Sequence, residues 1–325
     1  MRALAAWSLC WAAAMLFSIT AAPEWYSALV SRSVNGSPIR VALAALAFLV
    51  IVRPPPPWLL GVLAALQIAQ VAVVLPLVPN HRLILTFVDL ALLAAILRRR
   101  AGGDVLDDFI PAARTIVVSL YAFAFFAKLN QDFLDPSASC AAQFYGNVTR
   151  GWPVLPDGPA VRRTVIWATL AGEGLLAGAL CVRRLRPAAA LAGLVFHFLL
   201  ALDATKVFLN FSAVMFALLL SFLPRGFLDS LGAVVDRGRG ARPALAAGLL
   251  AIVLSGLFAA DDWTAWGRLF VWVRQAVWSI YAVALVSYAI VWCLREYRPE
   301  PPLPRPPLVG GRGRQKHRER GAKDR

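Results

Sequence analysis

Charge is what this sequence has least of. Only 16% of its 325 residues are Asp, Glu, Lys or Arg, and acids are scarcer than bases, 18 against 33. A soluble domain carries about 25% charged and 45–50% apolar residues, whereas here 59% are hydrophobic. An ordinary soluble globular domain is therefore excluded. Cysteine occurs four times, at Cys10, Cys140, Cys181 and Cys293, with no pair at metal-site or C-x-x-C spacing, so neither a disulfide framework nor a cysteine-based metal centre is expected. No Walker or dinucleotide-binding glycine motif is present, and the alternating segments of a transmembrane barrel are missing as well. The net charge of +15 invites a nucleic-acid reading. Much of it, however, sits in the tail Arg295–Arg325 and in short stretches between apolar runs, a distribution that sets membrane orientation. No nucleic-acid partner is expected.

What the sequence does have is long apolar runs. They cover Ala3–Ala22, Trp58–Val78, Thr164–Val182, Pro187–Leu202, Val207–Leu223, Ala244–Ala260 and Leu269–Leu294. Three more, Ile39–Val52, Leu83–Leu97 and Ile110–Leu129, are shorter or interrupted. Upright crossing of a bilayer takes about 20 residues. The runs predict an all-α polytopic transmembrane bundle of about 8–10 helices over residues 1–294, followed by a disordered, basic Pro/Gly/Arg-rich tail over 295–325. The first run has some features of a cleavable signal, but its length and Pro23 favour an uncleaved first helix.

Ten spans place both termini on one side. With that side cytoplasmic, inner segments and tail carry 22 basic residues and outer loops carry 8, as the positive-inside rule requires. Arg98–Arg100 and Arg183–Arg186 weigh most, since they abut helix ends. The chain is thus expected in the cell membrane, multi-pass, with cytoplasmic N- and C-termini and the bilayer as its main partner. The long outer loop Asn130–Arg163 is aromatic and proline-containing, and is expected to fold as a short cap. The alanine-, arginine- and proline-rich composition suggests a bacterial source.

Ionisable residues inside spans are costly and are functional candidates by default. Asp89, Lys128, Glu173, His197 and Arg274 stand out, with His81 at an outer helix start. Each also has a bland reading. Lys128 can snorkel to the surface, His197 can bridge helices, and Asp89 and Glu173 can pair with an arginine such as Arg274. Arg114, near an inner end, can snorkel and is set aside. In the ten-helix topology His81, Lys128 and His197 all lie toward the outer face, where they could share one cavity. The apolar stretch before Lys128 supplies desolvation, which favours a neutral amine able to act as a general base. Asp132, four residues on, would oppose that unless it points away.

The stretch Tyr121–Leu134 contains Lys128-Leu129-Asn130-Gln131-Asp132-Phe133-Leu134. It resembles the Lys-Leu-x-x-x-Trp-Leu signature of the horizontally transferred transmembrane family, which is related to the membrane part of vitamin K-dependent γ-glutamyl carboxylase. Asn80-His81 with Phe87-Val88-Asp89, and Phe196-His197 with Phe208-Leu209-Asn210-Phe211, are similar to further segments of that family. The likeness runs over roughly Met1–Pro224. Phe133 stands where the family has tryptophan, and Ala127 stands where the carboxylase has lysine. The resemblance implies a catalytic base at Lys128, assisted by His81 and His197. It also implies a lipid-soluble partner, with a quinone or hydroquinone as cofactor. The expected activity is quinol-linked proton abstraction or redox chemistry in an outward-facing membrane cavity. The alternative is a non-enzymatic transporter or membrane partner subunit.

Overall fold

In the computed structural model of the chain, residues 2–20, 38–75, 80–99, 104–151, 154–202, 207–238, 240–258 and 265–296 are described. They form thirteen α-helices and one short 3-10 helix, with no strand among them. Among the described residues each of the ten apolar runs falls on a helix: α1 (Arg2–Thr20), α2 (Pro38–Val52), α3 (Pro57–Val74), α4 (Asn80–Arg98), α5 (Val105–Ala127), α8 (Pro159–Cys181), α9 (Arg186–Leu200), α10 (Val207–Leu219), α12 (Ala241–Phe258) and α13 (Ala265–Glu296). The remainder are α6 (Gln131–Leu134), α7 (Cys140–Gly151) and α11 (Arg225–Arg237), with the 3-10 turn Leu220–Phe222 closing α10. Arg295 and Glu296, the first residues of the expected tail, end α13, and 297–325 lie outside the described residues.

Apolar character decides that these segments are helices; position in the bundle decides which are lined by protein. Helix α1 is the central post. Its neighbours are α2, α5, α10, α11 and α12, and Trp7, Trp11 and Phe17 are wholly buried. Alanines at 3, 6, 12, 13 and 14 are buried beside them, and such small residues let helices approach closely. Trp7 stacks on Trp11 at 5.5 Å between centroids, and its indole N–H donates to the Ala217 carbonyl at 3.2 Å. The first run is thus an integral part of the folded core.

Length separates the helices further. Among the described residues four are long and apolar enough to cross a membrane: Arg2–Ile19, Val105–Ala127, Pro159–Cys181 and Trp272–Glu296. A fifth arises if Leu209–Phe222 and Arg225–Arg237, bent by 119°, count as one. The sequence reading of about 8–10 helices, three of them on short or interrupted runs, thus resolves into four or five long helices and several shorter apolar ones, such as Pro38–Val52 and Arg186–Leu200. The run Trp58–Val78 ends as a helix at Val74; Pro76 lies just past that end, and proline supplies no N–H to continue a helix.

Three helices lie outside the apolar runs, α6, α7 and α11, and of these α7 and α11 are amphipathic. Helix α11 falls in a stretch the sequence reading left between spans. It buries Phe227, Leu228, Leu231 and Val235, spaced one face apart, and lies across the start of α1. There the Asp229 carboxylate accepts the unpaired Ala3 N–H at 3.1 Å. Gly232 allows this approach: a Cβ at that position would come within 2.7 Å of the Arg2 carbonyl oxygen. Helices α6 and α7 pack on the N-terminal half of α8. Phe133, Ala141 and Ala142 close on Ile166 and Leu170 in a small second core.

Candidate functional site

The packing of α5 on α8 and α9 holds three of the six polar groups that the sequence singled out, Lys128, Glu173 and His197. Lys128 is the C-cap of α5, whose backbone ends there. Its Nζ donates to both carboxylate oxygens of Glu173 on α8, at 2.7 and 2.9 Å, and to the Ala124 carbonyl at 3.3 Å. The two side chains keep 21% and 11% of their exposure, so the pair reaches the surface without being solvated on all sides. Phe133 brings its ring within 5.8 Å of the ammonium. Glycine sets the helix spacing here: a Cβ on Gly174 would meet the Phe125 ring at 2.9 Å. Phe125 therefore packs its ring against α8 at Gly174, the residue after Glu173.

This arrangement corrects the expected pairing. The cation on Glu173 is Lys128, whereas Arg274 is buried on α13. Sequence spacing cannot supply a register between helices 45 residues apart, and so could not choose between two cations. Asp89 does not pair with an arginine either. Wholly buried on α4, it accepts the Trp11 indole N–H at 3.2 Å, and its second oxygen has no partner among the described residues.

His197 is wholly buried on α9, and its Nε2 lies 2.8 Å from the Tyr121 hydroxyl. The rings of Phe196 and Phe211 meet it edge-on at 5.3 and 5.2 Å. The structure therefore does not join His197 to Lys128 in one open cavity. Each has its own partner, and Tyr121 and Lys128 stand on the same helix, α5. Tyr121 and Lys128 are seven residues apart, two turns along one helix face, with Phe125 between them. The residue 121 signal was present in that spacing, but a tyrosine inside an apolar run reads as packing. Gly193 lets α9 close on this face; a Cβ there would lie 3.0 Å from Leu219 and 3.5 Å from the Tyr121 oxygen. His81 falls in the first turn of α4, and its side chain lies outside the described residues.

At the opposite end of the bundle, polar groups tie helix termini. Arg225 on α11 pairs with Asp104 and Asp107 at the start of α5. Burial alone would raise the Asp104 carboxyl, but the Leu106 N–H and Arg225 outweigh it and hold that group below its ordinary value. Arg242 donates to the buried Ile51 carbonyl at 3.0 Å, satisfying a backbone acceptor at the C-terminal end of α2.

A paired amine and carboxylate at a partly exposed helix interface can exchange a proton with each other and with a hydroxyl or carbon acid brought beside them. Among the described residues no group of three His, Cys, Asp or Glu side chains is placed to hold a metal ion. No protein-family model, no curated protein and no solved structure matches the chain.

Proposed function

We propose that the chain is a polytopic integral membrane protein of the horizontally transferred transmembrane type, and that Lys128 and Glu173 form a proton-transfer site for a lipid-soluble weak acid. The observation that carries this reading is the two-pronged contact between Lys128 and Glu173 within 2.9 Å. An ammonium cannot act as a base until it has given up a proton, and Glu173 is the acceptor in reach. Transfer along the 2.7 Å bond turns two charges into an amine and a carboxylic acid, a change that low dielectric favours. The amine then takes the proton of the substrate. The result is a substrate anion beside a regenerated ammonium, with the net proton on Glu173. His197 acts through Tyr121, holding α9 against α5 below the pair. His81 retains the assisting role that the resemblance gives it. A quinol fits the residues present: the pair offers donors and an acceptor to its hydroxyl, and Phe125 and Phe133 flank them.

Membrane placement is supported by what the long helices leave uncovered. Helices α5, α8 and α13 are apolar, yet only 28% of each span is buried, against 89% for α1. Phe123, Leu175 and Ile280 stand 74%, 71% and 72% exposed. Each such side chain held in water forfeits roughly 1.5–3 kcal/mol, and monomeric soluble proteins rarely tolerate contiguous patches of this kind. The positive-inside balance puts Arg98–Arg100, Arg183–Arg186 and the tail in the cytoplasm. Reporter fusions active only outside the cytoplasm should be silent at Arg312 and active at Asp157; activity at both positions rejects the topology.

A second reading is favoured by the completeness of the ion pair: it serves only to clamp α5 to α8 in a non-enzymatic membrane protein. Lys128→Arg separates the two. Arginine keeps the charge and the contact with Glu173 but is not deprotonated in proteins. With a quinol added to the detergent-purified protein at neutral pH, the wild type should produce the red-shifted absorbance of the quinolate, and Lys128→Arg should not. Equal spectra from the two proteins, at equal thermal stability, leave only the clamp.

A further inference from the structure

The reading above leaves unused a groove of about 440 Å³ near the other end of α5. Its polar wall is Arg114, Thr115 and Ser119 on α5 and Arg186 at the start of α9. Its apolar wall is Val118 and Phe222, with the thiol-bearing Cys181 at the end of α8. Both guanidiniums are fixed by backbone. Arg114 Nε donates to the Ser221 carbonyl at 2.8 Å, and Arg186 Nε donates to the Leu180 carbonyl at 3.0 Å. Arg114 also sits over the Phe222 ring, 5.8 Å from its centroid. Neither arginine has a carboxylate within 4.0 Å among the described residues, and Arg183 adds a third positive charge near Arg114. Two fixed guanidiniums facing one groove, with no acid between them, repel each other and are complementary to an anion.

We infer that this groove binds the phosphate headgroup of an anionic phospholipid. Arginine forks match phosphate oxygens in geometry as well as charge, and Thr115 and Ser119 add hydroxyls at the same mouth. The stagger of the helices sets the depth. Arg114 is ten residues inside α5, about 15 Å along its axis, yet it shares the groove with Leu180, Cys181 and Arg186. It therefore lies level with the turn between α8 and α9, where the headgroup layer would meet the protein. An acyl chain leaving the groove would run along Val118 and Phe222. Basic pockets between helices on the cytoplasmic side are where acidic lipids are recognised, and that side is the arginine-rich end of this bundle. The inference rests on the membrane reading above, and not on the chemistry at Lys128.

Cys181 provides the test. It is exposed in the groove, Cys140 is exposed on α7, and Cys10 and Cys293 are buried. Maleimide labelling of the full chain in detergent should slow at Cys181 at least fivefold on adding phosphatidylglycerol. Labelling at Cys140 should be unchanged, and neither phosphatidylcholine nor inorganic phosphate should protect. Equal protection by inorganic phosphate overturns a lipid site in favour of a phosphate-ion site, and absence of protection overturns the site altogether. Arg114→Gln should abolish phosphatidylglycerol retention in native mass spectra. Because that change also frees the Ser221 carbonyl, Ser119→Trp serves as the second variant: it fills the groove while keeping both guanidiniums in place, and should also lose the lipid. Retention by Ser119→Trp rejects the groove. Release of the protein from membranes by alkaline carbonate would overturn the membrane reading and this inference together, whereas retention in membranes with no protection overturns this inference alone.

Discussion

Replacing Lys128 by Met and Glu173 by Gln, singly and together, measures whether the contact at the α5–α8 interface is a coupled pair. At 2.7 Å the attraction is about 6 kcal/mol at an effective dielectric of 20. Desolvation of two ions offsets several kcal/mol of that. Removing one partner of a buried pair costs about 3–5 kcal/mol, and the 21% exposure of Lys128 brings the expected loss down to about 2–3 kcal/mol. An upper bound comes from chemistry. Glu173 left alone can protonate, and doing so at pH 7 from an ordinary value near 4.3 costs about 3.7 kcal/mol. Lys128→Met should be the more damaging change, because the orphaned carboxylate is short and anchored, whereas an orphaned lysine can swing to the surface. The double variant should recover about 1–3 kcal/mol relative to the sum of the singles. Urea or thermal unfolding in a fixed detergent, read by tryptophan fluorescence, gives all four values. Strict additivity would refute the coupling. The same cycle on Glu173→Gln with Arg274→Gln should be additive, and coupling there would restore the pairing that the sequence suggested.

The crossing of α11 over α1 predicts that Gly232→Ala lowers the apparent Tm: helix propensity gains about 1 kcal/mol, but a Cβ 2.7 Å from backbone oxygen costs about 1–3 kcal/mol. Gly178→Ala on α8, with nothing within 4 Å of its Cβ, should hold or raise Tm, and the opposite order of the two variants would reject the packing argument. Asp104→Asn keeps a capping oxygen at the start of α5 and removes the charge facing Arg225. Because the folded carboxyl titrates below its unfolded value near 3.9, its contribution is present above that pH and vanishes as pH falls through the folded value. The Tm difference from wild type, worth under about 1 kcal/mol for so exposed a pair, should shrink between pH 6 and pH 3, and a constant difference would assign it to geometry. Arg242→Met should cost about 1–3 kcal/mol by stripping the Ile51 carbonyl of its buried donor, with faster amide exchange at the end of α2 as its local sign.

Hydropathy alone was enough to place every apolar run on a helix, because an apolar segment cannot leave its backbone groups unpaired away from water. The same property hid α11: an amphipathic helix averages to neutrality along the chain, and only its buried face of Phe227, Leu228, Leu231 and Val235 reveals it. Lys128, Glu173 and His197 were legible as candidates, since ionisable groups in apolar runs are expensive wherever the fold puts them. Their partners were not legible. Glu173 takes Lys128 and not Arg274, Asp89 takes Trp11, and His197 takes Tyr121, all through contacts between helices far apart in sequence. Composition thus determined the helical class, the apolar helices and the residues worth watching. Tertiary structure decided which helix stands at the centre and which polar groups meet, because register between helices is fixed by side-chain shape at close approach, at Gly174, Gly193 and Gly232, and shape complementarity leaves no periodic trace in a sequence.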